Sequence, residues 1–518
     1  MSQLKTLFTS IIFLIITLLA AQSAYGCFAV VVGKDASHDG SVIFGHLEQN
    51  SGLRNLNYRY IPRMQHEPGS VVNMRRGGTW PQVEETYAFL WTSNPGVEFS
   101  DGYFNEWGVA IASDATRTRE DSYDDLVERG DITDGGIGYM LRRLVAQRSK
   151  TAREGVDVAT ELLDHFGYAS SGRTYIIADA DEAWMLSAVR GKHWIATRIA
   201  DDAVVLLPNV NIIGEETDPD ENDDVMTSDG LVDYAIERGW YDPDSGEPFS
   251  FRKAFNREAA EGSFRDEQGV DPRQWYSHSL VKDELIDLPA DEQLPFALYP
   301  DRSFDVLDVV NLLRSHGHQE GQEPDLSMSH ALGMPEDASP HHEPGTGSIC
   351  SGRTQELVVY QLRNWMPAEV GSVAWRTTAA PCGSVLVPWY AGINKTPDAY
   401  HKPWPVEDAL DLEFQFDPPE GAFDYDPENA FDVFNALENM IDLDYPNYIE
   451  MVREEWDTFE DEQFAMQEAI EETAIQLLEE DQELGVTFLT NYSNQRAIIA
   501  LEKAKEMLNH LKTINWAH

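Results

Sequence analysis

Residues 24–46, AYGCFAVVVGKDASHDGSVIFGH, set the first of the chain's three cysteines directly in front of a β-branched run. Phe28 to Val32 reads as a strand, the Asp-, Ser- and Gly-rich KDASHDG as a tight turn, and SVIFGH as a second strand. Cys27 therefore heads the first strand of a sheet. Upstream, Lys5, the apolar LFTSIIFLIITLLAA and the small residues Ala24 and Gly26 form the pattern of a secretory signal peptide over residues 1–26. Cleavage after Gly26 makes Cys27 the N-terminal residue, and the expected location is then periplasmic or extracellular.

No later segment approaches the roughly 20 consecutive apolar residues of a membrane span, so no stable membrane association is expected after cleavage. The chain carries 90 acidic against 38 basic residues, a formal charge of −52. Such a surface repels phosphate groups, which excludes nucleic acid as an expected partner. The acids recur from residue 100 to 480 and read as a solvated face. The run ETDPDENDD (216–224) lacks the loop spacing of an EF-hand and reads as a surface loop.

Strand patterns resume in FNEWGVAIASDAT (104–116). Residues 134–167 space apolar positions by three and four, as two amphipathic helices do, and 173–214 alternates apolar runs with turns, as an antiparallel meander does. SICSGRTQELVVYQLR (348–363) and APCGSVLVP (380–388) are further strands. Beyond residue 403 the composition turns acidic and helical, with Val452, Trp456, Phe459, Met466, Ile470 and Leu477 as one stripe. The expected organisation is a signal peptide (1–26), one domain over 27–403, and an acidic helical region over 404–518 packed on that domain.

An exported chain with three cysteines pairs at most two of them. Cys350 and Cys382 lie at the ends of neighbouring strands, where either a disulfide or two reduced buried thiols fit. Cys27 is the odd one, and three readings of it stand side by side: a nucleophile, a lipid-modified residue, or a buried structural cysteine. A thiol at a free N-terminus has its own α-amine a few bonds away, partly neutral near pH 7, so one residue supplies both nucleophile and base. Such chemistry also needs an oxyanion hole. His316, His318, His330, His341 and His342 crowd a Gly- and Pro-rich stretch, but neither an HExxH nor a Cys/His zinc spacing is present. That stretch reads as a solvated loop, and no metal or other cofactor is expected.

The ordered blocks CFAVVVGKDASHDGSVIFGH, NEWGVAIASDAT, KTAREGVDVATELLDHFG, GRTYIIADADEAWMLSAVRGKHWIATRIADD, SICSGRTQELVVYQLRN and PCGSVLVPWYAG together resemble peptidase family C69, the dipeptidase A and secernin group of N-terminal-nucleophile hydrolases. The resemblance implies an α+β fold, a four-layer αββα sandwich with additional C-terminal helices. It also implies hydrolysis of dipeptides or similarly small peptides through a Cys27 thioester. Within VLLPNVNIIG (205–214), it points to Asn209 as the oxyanion-hole donor, with Asn211 in reserve. Family members commonly carry Asn-Glu-Asp after the second strand, whereas this chain has GHLEQN (45–50). Glu48 is then a candidate for a substrate ammonium and His46 for orienting the substrate or the Cys27 amine. Asn105 and Asp114, at the two ends of their strand, and Arg353, as partner for a substrate carboxylate, complete the candidate set. The competing readings are a non-enzymatic, lipid-anchored surface binding protein and a His-rich, metal-dependent peptidase.

Overall fold

A computed structural model describes residues 26–50, 56–214, 224–261, 263–287, 293–318, 326 and 339–517. The signal-peptide pattern up to Tyr25, His330 and nearly all of the 216–224 acidic run lie outside the described residues.

Cys27 leads into the strand Phe28–Val32, which pairs antiparallel with Val42–Gln49 through the short polar turn. This hairpin lies within a six-stranded sheet, flanked by Val204–Leu207 on one side and by Thr354–Leu362, Ser372–Arg376 and Val387–Tyr390 on the other. An eight-stranded sheet carries Asn57–Ile61, Phe89–Ser93, Tyr103–Asn105, Ala110–Ala115, Arg173–Ala178, Ala183–Ala188, Trp194–Arg198 and Val225–Thr227. Both faces of both sheets are covered, so their strands are buried along nearly their whole length.

Side-chain alternation sorts the layers. Ala112, Ile176, Ala178 and Met185 of the eight-stranded sheet share a core with the six-stranded sheet, while Ile111, Tyr175, Ile177 and Leu186 pack beneath the helices Met140–Arg148 and Ala152–Phe166. On the outer face of the six-stranded sheet lies the helix Val306–Leu313, which approaches so closely that a Cβ at Gly45 would stand 2.6 Å from Val309 Cγ1. The helices Ala430–Ile441, Tyr445–Glu480 and Gln482–Ala517 cover the rest of that face, with Phe464 stacked 4.3 Å from Trp375. The fold is a four-layer αββα sandwich.

Two expectations need correction. The 173–214 segment is not one meander: its first three strands are consecutive in the eight-stranded sheet, but Val204–Leu207 crosses to the other sheet and pairs with Phe28–Val32. Apolar alternation along a strand does not say which sheet receives it. The helical stripe also shifts, because Met466 is exposed while Glu460, Gln463 and Glu471 are buried. These polar groups face buried partners: Glu460 pairs with Arg314 at 2.7 Å and Arg453 at 3.1 Å, and Glu471 with Arg363 at 2.6 Å. Of the two states open to Cys350 and Cys382, the structure has the free thiols, with their sulfurs 3.8 Å apart against about 2.05 Å for a disulfide.

Candidate active site

Directly opposed residues of an antiparallel pair project to the same face. In the register Ala29↔His46 and Phe28↔Leu47, His46 and Glu48 therefore point with Cys27 towards the second sheet, and Leu47 points away. Cys27 Sγ donates to Glu48 Oε1 at 3.2 Å, and one ligand-type atom each of Cys27, His46 and Glu48 fall within 4.8 Å of one another. His46 Nε2 is 3.0 Å from Asp114 Oδ1, reaching across to the Ala110–Ala115 strand, and both residues are fully buried.

Around this group gathers a buried carboxylate cluster. Asn50 Nδ2 bridges Glu48 Oε1 at 3.0 Å, Gln355 Oε1 at 3.1 Å and Asp101 Oδ2 at 3.5 Å. Glu356 Oε2 accepts from Arg376 Nε at 2.6 Å and from Thr92 Oγ1 at 2.9 Å. Burial and the neighbouring Asp101 push the Glu48 carboxyl well above the ordinary range. Burial, only partly offset by Arg142, pushes Asp101 up to about 6. Burial and then the Glu48 and Asp114 charges push the Cys27 thiol up as well.

On the other side of Cys27, Arg273 Nη1 donates to the carbonyls of Gly26 at 2.5 Å and Cys27 at 3.1 Å, while its Nη2 donates to Asn209 Oδ1 at 3.0 Å. Asp271 holds the same guanidinium at 3.2 Å. A Cβ on Gly26 would press on the end of the Asn209 side chain, so the Asn209 amide lies against the Gly26–Cys27 junction. Its Nδ2 donates to Ala115 O at 3.0 Å. The strand that crosses between sheets, Val204–Leu207, is what delivers Asn209 to this place. The arrangement offers a thiol, a carbonyl-binding guanidinium and a carboxamide at one peptide junction.

The sequence model of peptidase family C69 matches residues 26–457 of this chain. The chain belongs to peptidase family C69. Among curated C69-like relatives, a probable dipeptidase of Latilactobacillus sakei is 28% identical over 385 residues, 73% of this chain and 76% of that protein. A dipeptidase of Bifidobacterium longum is 29% identical over 403 residues, 72% of each chain, and dipeptidase A of Lactobacillus helveticus is 27% identical over 391 residues, 72% of this chain and 77% of that one. Among solved structures, penicillin V acylase from Agrobacterium tumefaciens aligns over 70% of this chain and 86% of its own, at 12% identity and a TM-score of 0.31. Family membership makes the chain a hydrolase of peptide-type amide bonds.

The C69 chain brings together Cys27, His46, Glu48 and Asp114, and sets Asn209 beside Gly26. Asn211 is buried, with Oδ1 accepting from Thr174 Oγ1 at 3.4 Å and Nδ2 without a hydrogen-bond partner among the described residues. Arg353 lines a cavity of about 230 Å³ together with Asn50 and Gln355, next to the carboxylate cluster. Asn105 has a different task from substrate contact. Its Oδ1 accepts from the Trp107 and Val109 amides at 3.0 Å each, and its Nδ2 donates to Ala146 O at 3.0 Å and Ser149 O at 2.8 Å. Every hydrogen-bonding position of that side chain is spent on closing a turn and tying it to the Met140–Arg148 helix.

Asn50, Asp101, Arg142, Arg273 and Glu356 escaped the sequence reading. Arg142 is buried on the Met140–Arg148 helix with Nε and Nη2 unpartnered among the described residues, and its charge opposes the rise of Glu48 and Asp101. Only Asn50 had a sequence signal, since it continues the inward alternation His46, Glu48, Asn50 past the end of its strand.

Proposed function

We propose that the chain is an exported, cysteine-type dipeptidase in which Cys27, freed by cleavage after Gly26, attacks the peptide bond. The observation that carries this reading is the position of Cys27. It heads a central strand, with its thiol 3.2 Å from Glu48 and its preceding peptide junction clasped by Arg273 and Asn209. A thiol whose pKa burial and the neighbouring carboxylates raise needs a base within its own reach, and the α-amine that cleavage creates serves as that base.

In this reading the α-amine takes the Sγ proton, and the thiolate adds to the scissile carbonyl carbon. Loss of Gly26 frees an Arg273 Nη1 donor and one face of Asn209, and both then serve the oxyanion of the tetrahedral species. Collapse breaks the C–N bond and returns the proton to the departing amino group, leaving a Cys27 thioester. Water, deprotonated by the same amine, releases the acyl half and regenerates the thiol. Glu48 and Asp101 favour the substrate ammonium, and Arg353 at the rim of the neighbouring cavity takes its carboxylate. Small zwitterionic peptides are the class that uses both ends.

N-terminal sequencing of the purified chain, combined with dipeptide turnover, tests the reading. A chain beginning at Cys27 that hydrolyses dipeptides and loses activity on thiol alkylation supports it. Full activity of a Cys27→Ala variant, or of a chain that retains Gly26, overturns it.

A further inference from the structure

The histidine-rich stretch does not behave as a solvated loop throughout. His316 is 0% exposed, the His341 side chain 1%, and both rings meet the two remaining cysteines in the core. We propose that Cys350, Cys382, His316 and His341 form a closed, structural zinc site. The sulfurs stand 3.8 Å apart, and His341 Nε2 lies 3.2 Å from Cys382 Sγ and 3.9 Å from Cys350 Sγ. One ligand-type atom from each of the four residues falls within 4.8 Å of the other three. Zinc bonds of about 2.3 Å to sulfur and about 2.0–2.1 Å to nitrogen, in tetrahedral geometry, put ligand sulfurs about 3.8 Å apart and sulfur about 3.6 Å from nitrogen. The sulfur pair has that spacing, and the two His341 distances straddle theirs.

Two further observations point to a ligand. Neither ring nitrogen of the fully buried His316 has a well-formed hydrogen bond among the described residues, and the polar group that its ring faces is the Cys382 thiol, itself a candidate ligand. His341 Nδ1 lies 2.9 Å from Asp442 Oδ1, which also accepts from Ser339 Oγ at 2.7 Å, and Glu438 stands 3.7 Å from the same nitrogen. A carboxylate on the far nitrogen directs Nε2 towards the sulfurs, the usual outer partner of a metal-bound histidine. Tyr445 packs edge-on against both rings, at 6.0 and 5.8 Å.

Four protein ligands leave zinc no open position, so the site holds structure and does no hydrolysis. Each cysteine binds as thiolate, its proton passing to solvent. The ion would join the segment after the Val306–Leu313 helix, the His341 turn and the ends of two sheet strands. One of these ends is close to the candidate active site: Ile349, next to Cys350, accepts Gln49 Nε2 at 2.6 Å from the strand that carries Glu48.

The test uses the full chain purified without chelator under reducing conditions, with zinc content by elemental analysis and cobalt(II) as a spectroscopic probe. The expected result is one zinc per chain and, after exchange, the intense visible bands of tetrahedral cobalt bound to thiolate. Cys382→Ser abolishes those bands, Asp442→Asn weakens zinc affinity about 10- to 100-fold, and His342→Gln, on the exposed neighbour, leaves both unchanged. A wild-type chain with free thiols that takes up no zinc or cobalt overturns the proposal. So does a six-coordinate cobalt spectrum, undiminished binding by Cys382→Ser, or a Cys350–Cys382 disulfide formed when zinc is supplied during expression. The wild-type spectrum decides the matter even where a variant fails to fold.

Discussion

The two places where buried thiols lie in this molecule have opposite surroundings. Cys27 faces carboxylates, and burial together with Glu48 and Asp114 raises its pKa well above the ordinary thiol range. Cys382 faces imidazoles. Burial would raise it too, but the Cys350 hydrogen bond and the His341 charge outweigh that and hold it well below the usual value. The same side chain is thus a proton carrier beside the carboxylates and a thiolate beside the imidazoles. The first environment suits a nucleophile activated only when its own amine is released, and the second suits a cation.

The sharpest way to break this contrast is Cys27→Ala, which is expected to lower dipeptide turnover by about ten-thousand-fold or more. Cys27→Ser retains a trace, and amino-acid release from dipeptides reads both. Beside the Cys382 segment, Glu460→Gln removes the carboxylate shared by Arg314 and Arg453. Leaving the buried Arg314 guanidinium without its carboxylate, while Arg453 keeps Asp457, costs about 3–5 kcal/mol, measured by urea denaturation at neutral pH. The two arginines hold the Glu460 carboxyl below its ordinary value against the opposing effect of burial. Its contribution is therefore complete above the unfolded carboxyl's pKa and lost as pH falls through the lower folded value, so acid unfolding is shallower in the variant.

Asn209→Ala sharpens the comparison at Cys27. It is expected to lower kcat by about 100- to 1,000-fold, with the thiol still alkylated at its normal rate, because only the oxyanion loses a donor. The smallest effect is expected for Asp101→Asn. Asp101 titrates at about 6 in the folded protein against 3.8 as its ordinary value. The folded state therefore holds that proton more tightly and loses stability as pH rises from about 4 to about 6. The asparagine variant flattens this decline and is more stable at pH 8 by on the order of 2 kcal/mol, read from denaturation midpoints across pH.

Legibility from sequence follows the range of the interactions involved. The opening hairpin, the two helices inside 134–167 and the first three strands of 173–214 are each specified by local apolar period and turn chemistry, and each is present. Inward alternation along VIFGHLEQ similarly places His46 and Glu48 on the Cys27 side. Asp101 and Arg142 sit in segments whose local pattern is satisfied equally well with either residue facing solvent. Asn105 carries a strand-end signal that a turn uses as readily as a substrate does. Arg273 lies on a helix whose apolar pattern is weak, and its reach to the Gly26 carbonyl spans 247 positions of chain.

The sequence by itself determined that Cys27 heads a strand behind a candidate cleavage junction, that the surface is strongly acidic, and that blocks of the C69 family follow in order. Those properties rest on residue identity and on neighbours a few positions apart. Only the tertiary structure decided that Val204–Leu207 leaves its meander to carry Asn209 to the Gly26–Cys27 junction, and that Glu48, Asn50, Asp101 and Glu356 converge. It alone gathered His316, His341, Cys350 and Cys382, whose spacings match no metal motif. The physical reason is one of reach. Strand and helix periods are set by backbone sterics within a turn or two, whereas the partners of a buried charge or thiol are chosen by sheet pairing and helix packing between distant segments.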